Sequence, residues 1–151
     1  MQTSRAEINT TSPDETRAFG RELSARLRPG DCVGLIGELG SGKTCLAQGI
    51  CEGLNVPDRV TSPTFILVNE YLGRDAASRP VSIYHFDLYR LPDPCALIDL
   101  GWDDYLAGDG ICLIEWAERA GSLLPERTLH IRIDIPEFCS RRIILDNGES
   151  K

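Results

Sequence analysis

The sequence predicts an α/β domain with a mixed parallel and antiparallel sheet flanked by helices. Three observations carry that expectation. The runs DCVGLIG and GICLIEW are short and continuously apolar, the pattern of strands buried on both faces in a parallel sheet. The first passes through the glycine-rich turn ELGSG straight into a helical stretch, a strand–loop–helix unit. Other runs, ILVNEYL with VSIYHFDLYR and TLHIRIDI with RRIILD, read as hairpin-like strand pairs that break an all-parallel arrangement.

Each element has its own justification along the chain. SPDETRAFGRELSARLRPG is a capped helix: Ser12 serves as N-cap, Pro13 suits the first helical position, and Asp14 and Glu15 favour the positive end of the dipole. Phe19, Leu23 and Leu27 recur at four-residue spacing, and Pro29-Gly30 ends the helix. The strand DCVGLIG follows, then the helix KTCLAQGICEGL, closed by Asn55 and Pro57. TSPTF leads into ILVNEYL, extended as far as Gly73, and the polar loop GRDAASRP turns the chain back into VSIYHFDLYR. After LPDP, the stretch PCALIDLGWDDYL reads as one short helix. Gly108-Asp109-Gly110 punctuates before GICLIEW, and AERAGSLLP is another short helix. The final strand pair ends at NGESK, where residues 147–151 are expected to fray.

The chain has 151 residues, one domain's length, and residues 1–151 are expected to form a single domain without repeats or linkers. Its 42% hydrophobic and 26% charged residues place it among soluble globular proteins. No apolar run approaches the ~20 residues of a membrane span. MQTSRAEINTTSPDE lacks the apolar core of a secretory signal, so a cytoplasmic location is expected. The net charge of −7 resides in one stretch: Asp87 to Glu118 holds eight acids and the single base Arg90, and the remainder balances. A protein gripping nucleic acid unaided presents a basic face, so direct tRNA or DNA binding is disfavoured. The acidic stretch is suited to a divalent cation, a basic partner, or plain solvation. Six cysteines form no Cys-x-x-Cys pair and neither His85 nor His130 sits in a cysteine cluster, which excludes zinc spacing and leaves reduced thiols.

The chemistry is concentrated in GELGSGKT. Gly37, Glu38, Leu39, Gly40, Ser41, Gly42, Lys43 and Thr44 satisfy the G-x-x-x-x-G-K-[ST] pattern in full. Its glycines admit backbone angles and close approach that a Cβ would block, so that loop N–H groups converge on phosphate oxygens at the start of a helix. Lys43 then meets the β- and γ-phosphates, and the Thr44 hydroxyl ligates Mg²⁺. The fold is accordingly expected to be of the P-loop nucleoside-triphosphatase type. Such sites need an acid at the end of a neighbouring strand. Glu115, after the four apolar residues 111–114, is the better metal ligand; Asp87 is placed to orient or deprotonate the attacking water. His85 and Tyr89 alternate with Asp87, and the Thr61–Thr64 hydroxyls stand where many P-loop proteins sense the γ-phosphate. No Asn-Lys-x-Asp or Thr-Lys-x-Asp element is present, which argues against a GTPase. A P-loop small-molecule kinase remains a rival, with Arg119 and Arg127 as its nearest lid arginines, although ERAGSLLPER is short for a lid. A nucleotide-switched binding module without useful hydrolysis is the other.

GELGSGKT, TSPTF, YHFDLYRL and LIEWAER, in this order and over nearly the whole chain, resemble the bacterial threonylcarbamoyladenosine biosynthesis ATPase family TsaE, also called YjeE. The resemblance implies a weak intrinsic ATPase requiring ATP and Mg²⁺. It implies action with TsaB and TsaD, downstream of TsaC, in making threonylcarbamoyladenosine (t6A) beside the tRNA anticodon, with tRNA met only through the complex. ATP hydrolysis would reset the TsaB–TsaD complex while TsaD performs the transfer. By motif, Lys43 and Thr44 would hold phosphate and Mg²⁺, Glu115 would be the second metal ligand, and Asp87 the residue essential for hydrolysis. The segment from Ser12 to Thr16 would lie near the adenine.

Overall fold

The computed structural model describes residues 5–63 and 67–146. Thr64 and Phe65 of TSPTF and the tail 147–151 lie outside the described residues.

The sheet holds seven strands among the described residues: β1 (Arg5–Thr10), β2 (Cys32–Gly37), β3 (Val68–Arg74), β4 (Pro80–Asp87), β5 (Ile111–Glu115), β6 (Leu129–Glu137) and β7 (Ser140–Asp146). Their order is β1-β7-β6-β2-β5-β4-β3. The centre is parallel, with β2 between β6 and β5, and β4 beside β5. Antiparallel pairs flank it: β3 on β4, and β6–β7–β1 on the other side. This is the mixed α/β sheet of the P-loop class.

Two apolar layers cover its faces, which explains the unbroken apolar runs. Val33, Leu35, Ile83, Leu113 and Ile131 pack on one face with Leu23, Leu46 and Ile50 of helices α1 (Pro13–Ser24) and α2 (Lys43–Gly53). Cys32, Phe86, Cys112 and Ile114 pack on the other with Leu97 of α3 (Cys95–Leu100) and Trp102 of α4 (Trp102–Ala107). Alternate residues of β2 and β5 therefore face opposite cores, so neither face tolerates polar substitution.

Helix α1 begins as expected. Ser12 Oγ accepts from Glu15 N at 3.1 Å, and Glu15 reaches back to Thr11 N at 2.7 Å. Four elements differ from the sequence reading, the first being α1 itself, which ends at Ser24, short of Leu27 and Pro29-Gly30. RAEINT, read there only as lacking a signal core, is the edge strand β1; Ile8 is its one sizeable apolar residue, too little for a periodic signal. PCALIDLGWDDYL is two helices, because Gly101 at φ 92° ends α3 and starts α4. AERAGSLLP forms a 3-10 helix, Ala117–Leu123. All six cysteines are free, and burial pushes the thiols of Cys51 and Cys112 up to about 12. Among the described residues no helix is long and apolar enough to cross a membrane.

Candidate functional site

The carboxyl ends of β2, β4 and β5 meet at one edge of the sheet, where open α/β sheets bind ligands. Gly37 ends β2, Asp87 ends β4, and Glu115 ends β5, with Asp87 and Glu115 register partners. The chain leaves β2 through Glu38 and Leu39, both exposed, and enters α2 at Lys43. Two glycines make the turn possible. Gly42 has φ 113°, a left-handed conformation that disfavours any side chain. A Cβ at Gly37 would stand 2.5 Å from Ser41 Oγ and 2.7 Å from the carbonyl oxygen of Ile133 on the neighbouring strand. No side chain caps the N-terminus of α2, so its N–H groups are left to an anion.

Lys43 is buried at 4% exposure. Its Nζ donates to the carbonyls of Gly37 at 2.6 Å and Glu38 at 3.0 Å, and lies 4.0 Å from the centroid of the Trp116 ring. Burial lowers its amine below the ordinary lysine value, while the carboxylates of Glu115, Glu118 and Asp87 pull the other way. Thr44 Oγ1 donates to Glu115, 2.8 Å from Oε1 and 3.0 Å from Oε2. Ser62 Oγ lies 2.8 Å from Thr44 Oγ1 and donates to Glu115 Oε2 at 3.2 Å. His85 Nε2 is 2.6 Å from the same Oε2, and both side chains are almost wholly buried. Thr44, Ser62, His85 and Glu115 thus form one connected cluster, next to Lys43.

Asp87 is half-buried, and its Oδ1 accepts from Tyr89 N at 3.0 Å. Burial raises its carboxyl above the usual aspartate value, with the Tyr89 N–H opposing and the Glu115 charge adding. Asp87, Lys43, Thr44, Ser62 and Glu115 line a cleft of about 310 Å³, roofed by Tyr89 and Trp116, whose rings are 4.9 Å apart. On the other side of the glycine-rich loop lies a cleft of about 370 Å³, lined by Ser12, Pro13, Thr16, Phe138, Cys139 and Arg141. Gly40, Gly42 and Cys45 border both. Of the acidic stretch, Asp87 and Glu115 line this cleft, while Asp93, Asp99, Asp103, Asp104, Asp109 and Glu118 are exposed.

Ser62, read in the sequence among the Thr61–Thr64 hydroxyls near the γ-phosphate, and His85, noted beside Asp87, were not joined there to Glu115, and Trp116 and Arg141 had no assigned role. Trp116 adopts φ 57° as the chain turns off β5, which tips its ring over Lys43; the only signal was its place directly after the strand-end acid. Arg141 carried none. It lies 100 residues beyond Ser41, yet its Nε donates to the Ser41 carbonyl at 3.0 Å and its Nη2 to that of Gly40 at 3.3 Å, tying the loop to β7. Arg127, a candidate lid arginine, is engaged elsewhere, on the carbonyls of Gly30 and Leu106. Arg119 stands over the Tyr89 and Trp116 rings.

The family profile described as threonylcarbamoyl adenosine biosynthesis protein TsaE matches residues 10–143. The chain is 41% identical over 124 residues to the tRNA threonylcarbamoyladenosine biosynthesis protein TsaE of Bacillus subtilis, covering 82% of this chain and 74% of that protein. It is 38% identical over 132 residues to the protein of the same name from Treponema pallidum, covering 87% and 93%. Among solved structures, Bacillus subtilis YdiB superposes with a TM-score of 0.78 at 32% identity, over 98% of this chain and 88% of that one. A strand–loop–helix carrying GELGSGKT beside two strand-end acids, a profile spanning most of the chain and relatives this similar lead to one conclusion: the chain belongs to the TsaE family.

Proposed function

We propose that the chain is an Mg²⁺-dependent ATPase of tRNA threonylcarbamoyladenosine biosynthesis, acting as one domain over residues 1–151. The observation that carries the reading is the cluster at the sheet edge. Lys43, the hydroxyls of Thr44 and Ser62, and the Glu115 carboxylate converge on the mouth of an uncapped helix.

The donor set suits Mg²⁺. Thr44 and Glu115 offer oxygen ligands within 3.0 Å of each other, and Mg²⁺ favours one or two carboxylates completed by phosphate and water. No three His, Cys, Asp or Glu residues are placed to hold a metal by themselves among the described residues, which is compatible with such a shared site. When bound, the ion would neutralise charge on the β- and γ-phosphates. Lys43 binds those phosphates, residues 37–44 wrap them, and Asp87 orients the attacking water or takes its proton. The base and sugar lie in the cleft lined by Ser12 to Thr16, with the triphosphate crossing Gly40 and Gly42 into the cleft holding Asp87. Tyr89 and Trp116 exclude bulk water from the phosphate end.

The pathway is supported by the relatives' names. In this reading hydrolysis resets a TsaB–TsaD type complex, and tRNA is met only through that complex, in keeping with a net charge of −7. The kinase alternative loses Arg127 to its contacts with Gly30 and Leu106. Counting phosphate released from ATP, by the chain alone and with the two partners, tests the proposal. Steady release without an acceptor, rising with the partners, is expected. Release only in the presence of a phosphate acceptor would establish the kinase instead, and none under any condition would leave a switch.

A further inference from the structure

The metal-side carboxylate is held from beneath as well as from the side. Glu115 accepts from Thr44, from Ser62 and from the ring of His85, the last at 2.6 Å. The first two donors are hydroxyls that rotate freely, and Thr44 Oγ1 must turn its lone pairs outward when it ligates a metal. His85 is different. It lies on β4 two residues before Asp87, is 0% exposed, and has no freedom to follow solvent. A carboxylate oxygen only accepts, so Nε2 carries a hydrogen and donates it to Glu115. Nδ1 is buried with no partner. An orphaned polar atom in the core is unfavourable. An apolar side chain would avoid that penalty; what it would lack is the bond to Glu115.

We infer that His85 is a positioning residue for Glu115: its Nε2–H fixes Oε2, so that the carboxylate stays turned toward Thr44 as an anchor for Mg²⁺. The inference rests on the Mg²⁺ reading of the site given above. It follows the general behaviour of groups behind a metal ligand, whose loss costs about 10–100-fold in metal affinity without altering the ligand set.

The test titrates Mg²⁺ into the full chain with a fluorescent, non-hydrolysable ATP analogue, starting from a chelator-buffered zero. His85→Leu should move the Mg²⁺ midpoint upward by about 10–100-fold, while affinity for the analogue in chelator stays at the parent value. His85→Gln, which retains a donor at the position of Nε2, should recover most of the loss. Nitrogen NMR of the unsubstituted chain supplies a readout independent of any variant's folding. The His85 ring should carry a hydrogen on Nε2. An unchanged Mg²⁺ midpoint in His85→Leu, failure of His85→Gln to recover, or a ring protonated on Nδ1 alone would each overturn the inference. A parent chain whose analogue binding ignores Mg²⁺ would overturn the metal reading itself, and this inference with it.

Discussion

Replacing Lys43 by methionine keeps the aliphatic stem beneath Trp116 and removes only the ammonium. Among the described residues lining the phosphate-end cleft, Lys43 is the one cation, facing Asp87 and Glu115. Deleting one member of a buried, hydrogen-bonded charge pair costs about 2–5 kcal/mol. The gain on binding is less than the gross interaction, because the ammonium must first leave the Gly37 and Glu38 carbonyls at 2.6 and 3.0 Å. A net loss of about 2–4 kcal/mol corresponds to roughly 30- to 700-fold weaker triphosphate binding. Calorimetry with ATP and Mg²⁺ measures this directly, with thermal unfolding as control for the fold. The reasoning is refuted if Lys43→Met binds ATP with the parent affinity and an unchanged melting temperature, since the glycine-rich loop would then be only a turn.

Asp87 and Glu115 should fail differently. Glu115→Ala should blunt the Mg²⁺ dependence of nucleotide binding, whereas Asp87→Ala should bind normally and stop hydrolysing, a transition-state loss visible in kcat and not in affinity; hydrolysis at the parent rate in Asp87→Ala would sink its role. Gly37→Ala should abolish nucleotide binding, because the new methyl meets the Ile133 backbone carbonyl, which cannot yield as a side chain can. A variant that binds ATP as the parent does would show the loop to be more pliable than its geometry implies. The buried thiols make stability fall in alkali. Cys51 and Cys112 are raised from 9.0 to about 12 in the fold, so the stability they contribute is full below pH 9 and lost as pH rises toward 12. By pH 10 the two should withdraw about 3 kcal/mol together. Urea midpoints at pH 8 and 10 check this, and Cys51→Ala should shrink the difference; an equal difference in that variant would contradict the assignment.

How much of this was legible in the sequence follows the range of the interactions. The turn at residues 37–44 was readable as a strand–helix junction because its motif lies in eight consecutive residues, and the strand-end positions of Glu115 and Asp87 because apolar runs lead into them. Helix α1 announced its own start through Ser12, Pro13 and Glu15, all local partners. What was hidden depends on pairing across the sheet. β1 is an edge strand recognisable only by its register with β7. The bond from His85 to Glu115 spans 30 residues, and that from Arg141 to Ser41 spans 100. The break at Gly101 and the turn at Trp116 hinge on single positive φ angles, of 92° and 57°. Sequence periodicity averages over such positions and cannot register them.

The central claim is that a nucleotide-holding site in this chain serves tRNA threonylcarbamoyladenosine synthesis. A partner complex is remodelled only if its affinities for the ATP-bound and hydrolysed states differ, and a site unable to hold the γ-phosphate cannot create that difference. The most direct measurement is mass spectrometry of tRNA nucleosides after depletion of the chain, with rescue by the parent or by Lys43→Ala. The account predicts that threonylcarbamoyladenosine falls on depletion, returns with the parent chain, and stays low with Lys43→Ala. Unchanged modification after full depletion, or full rescue by Lys43→Ala, would contradict it.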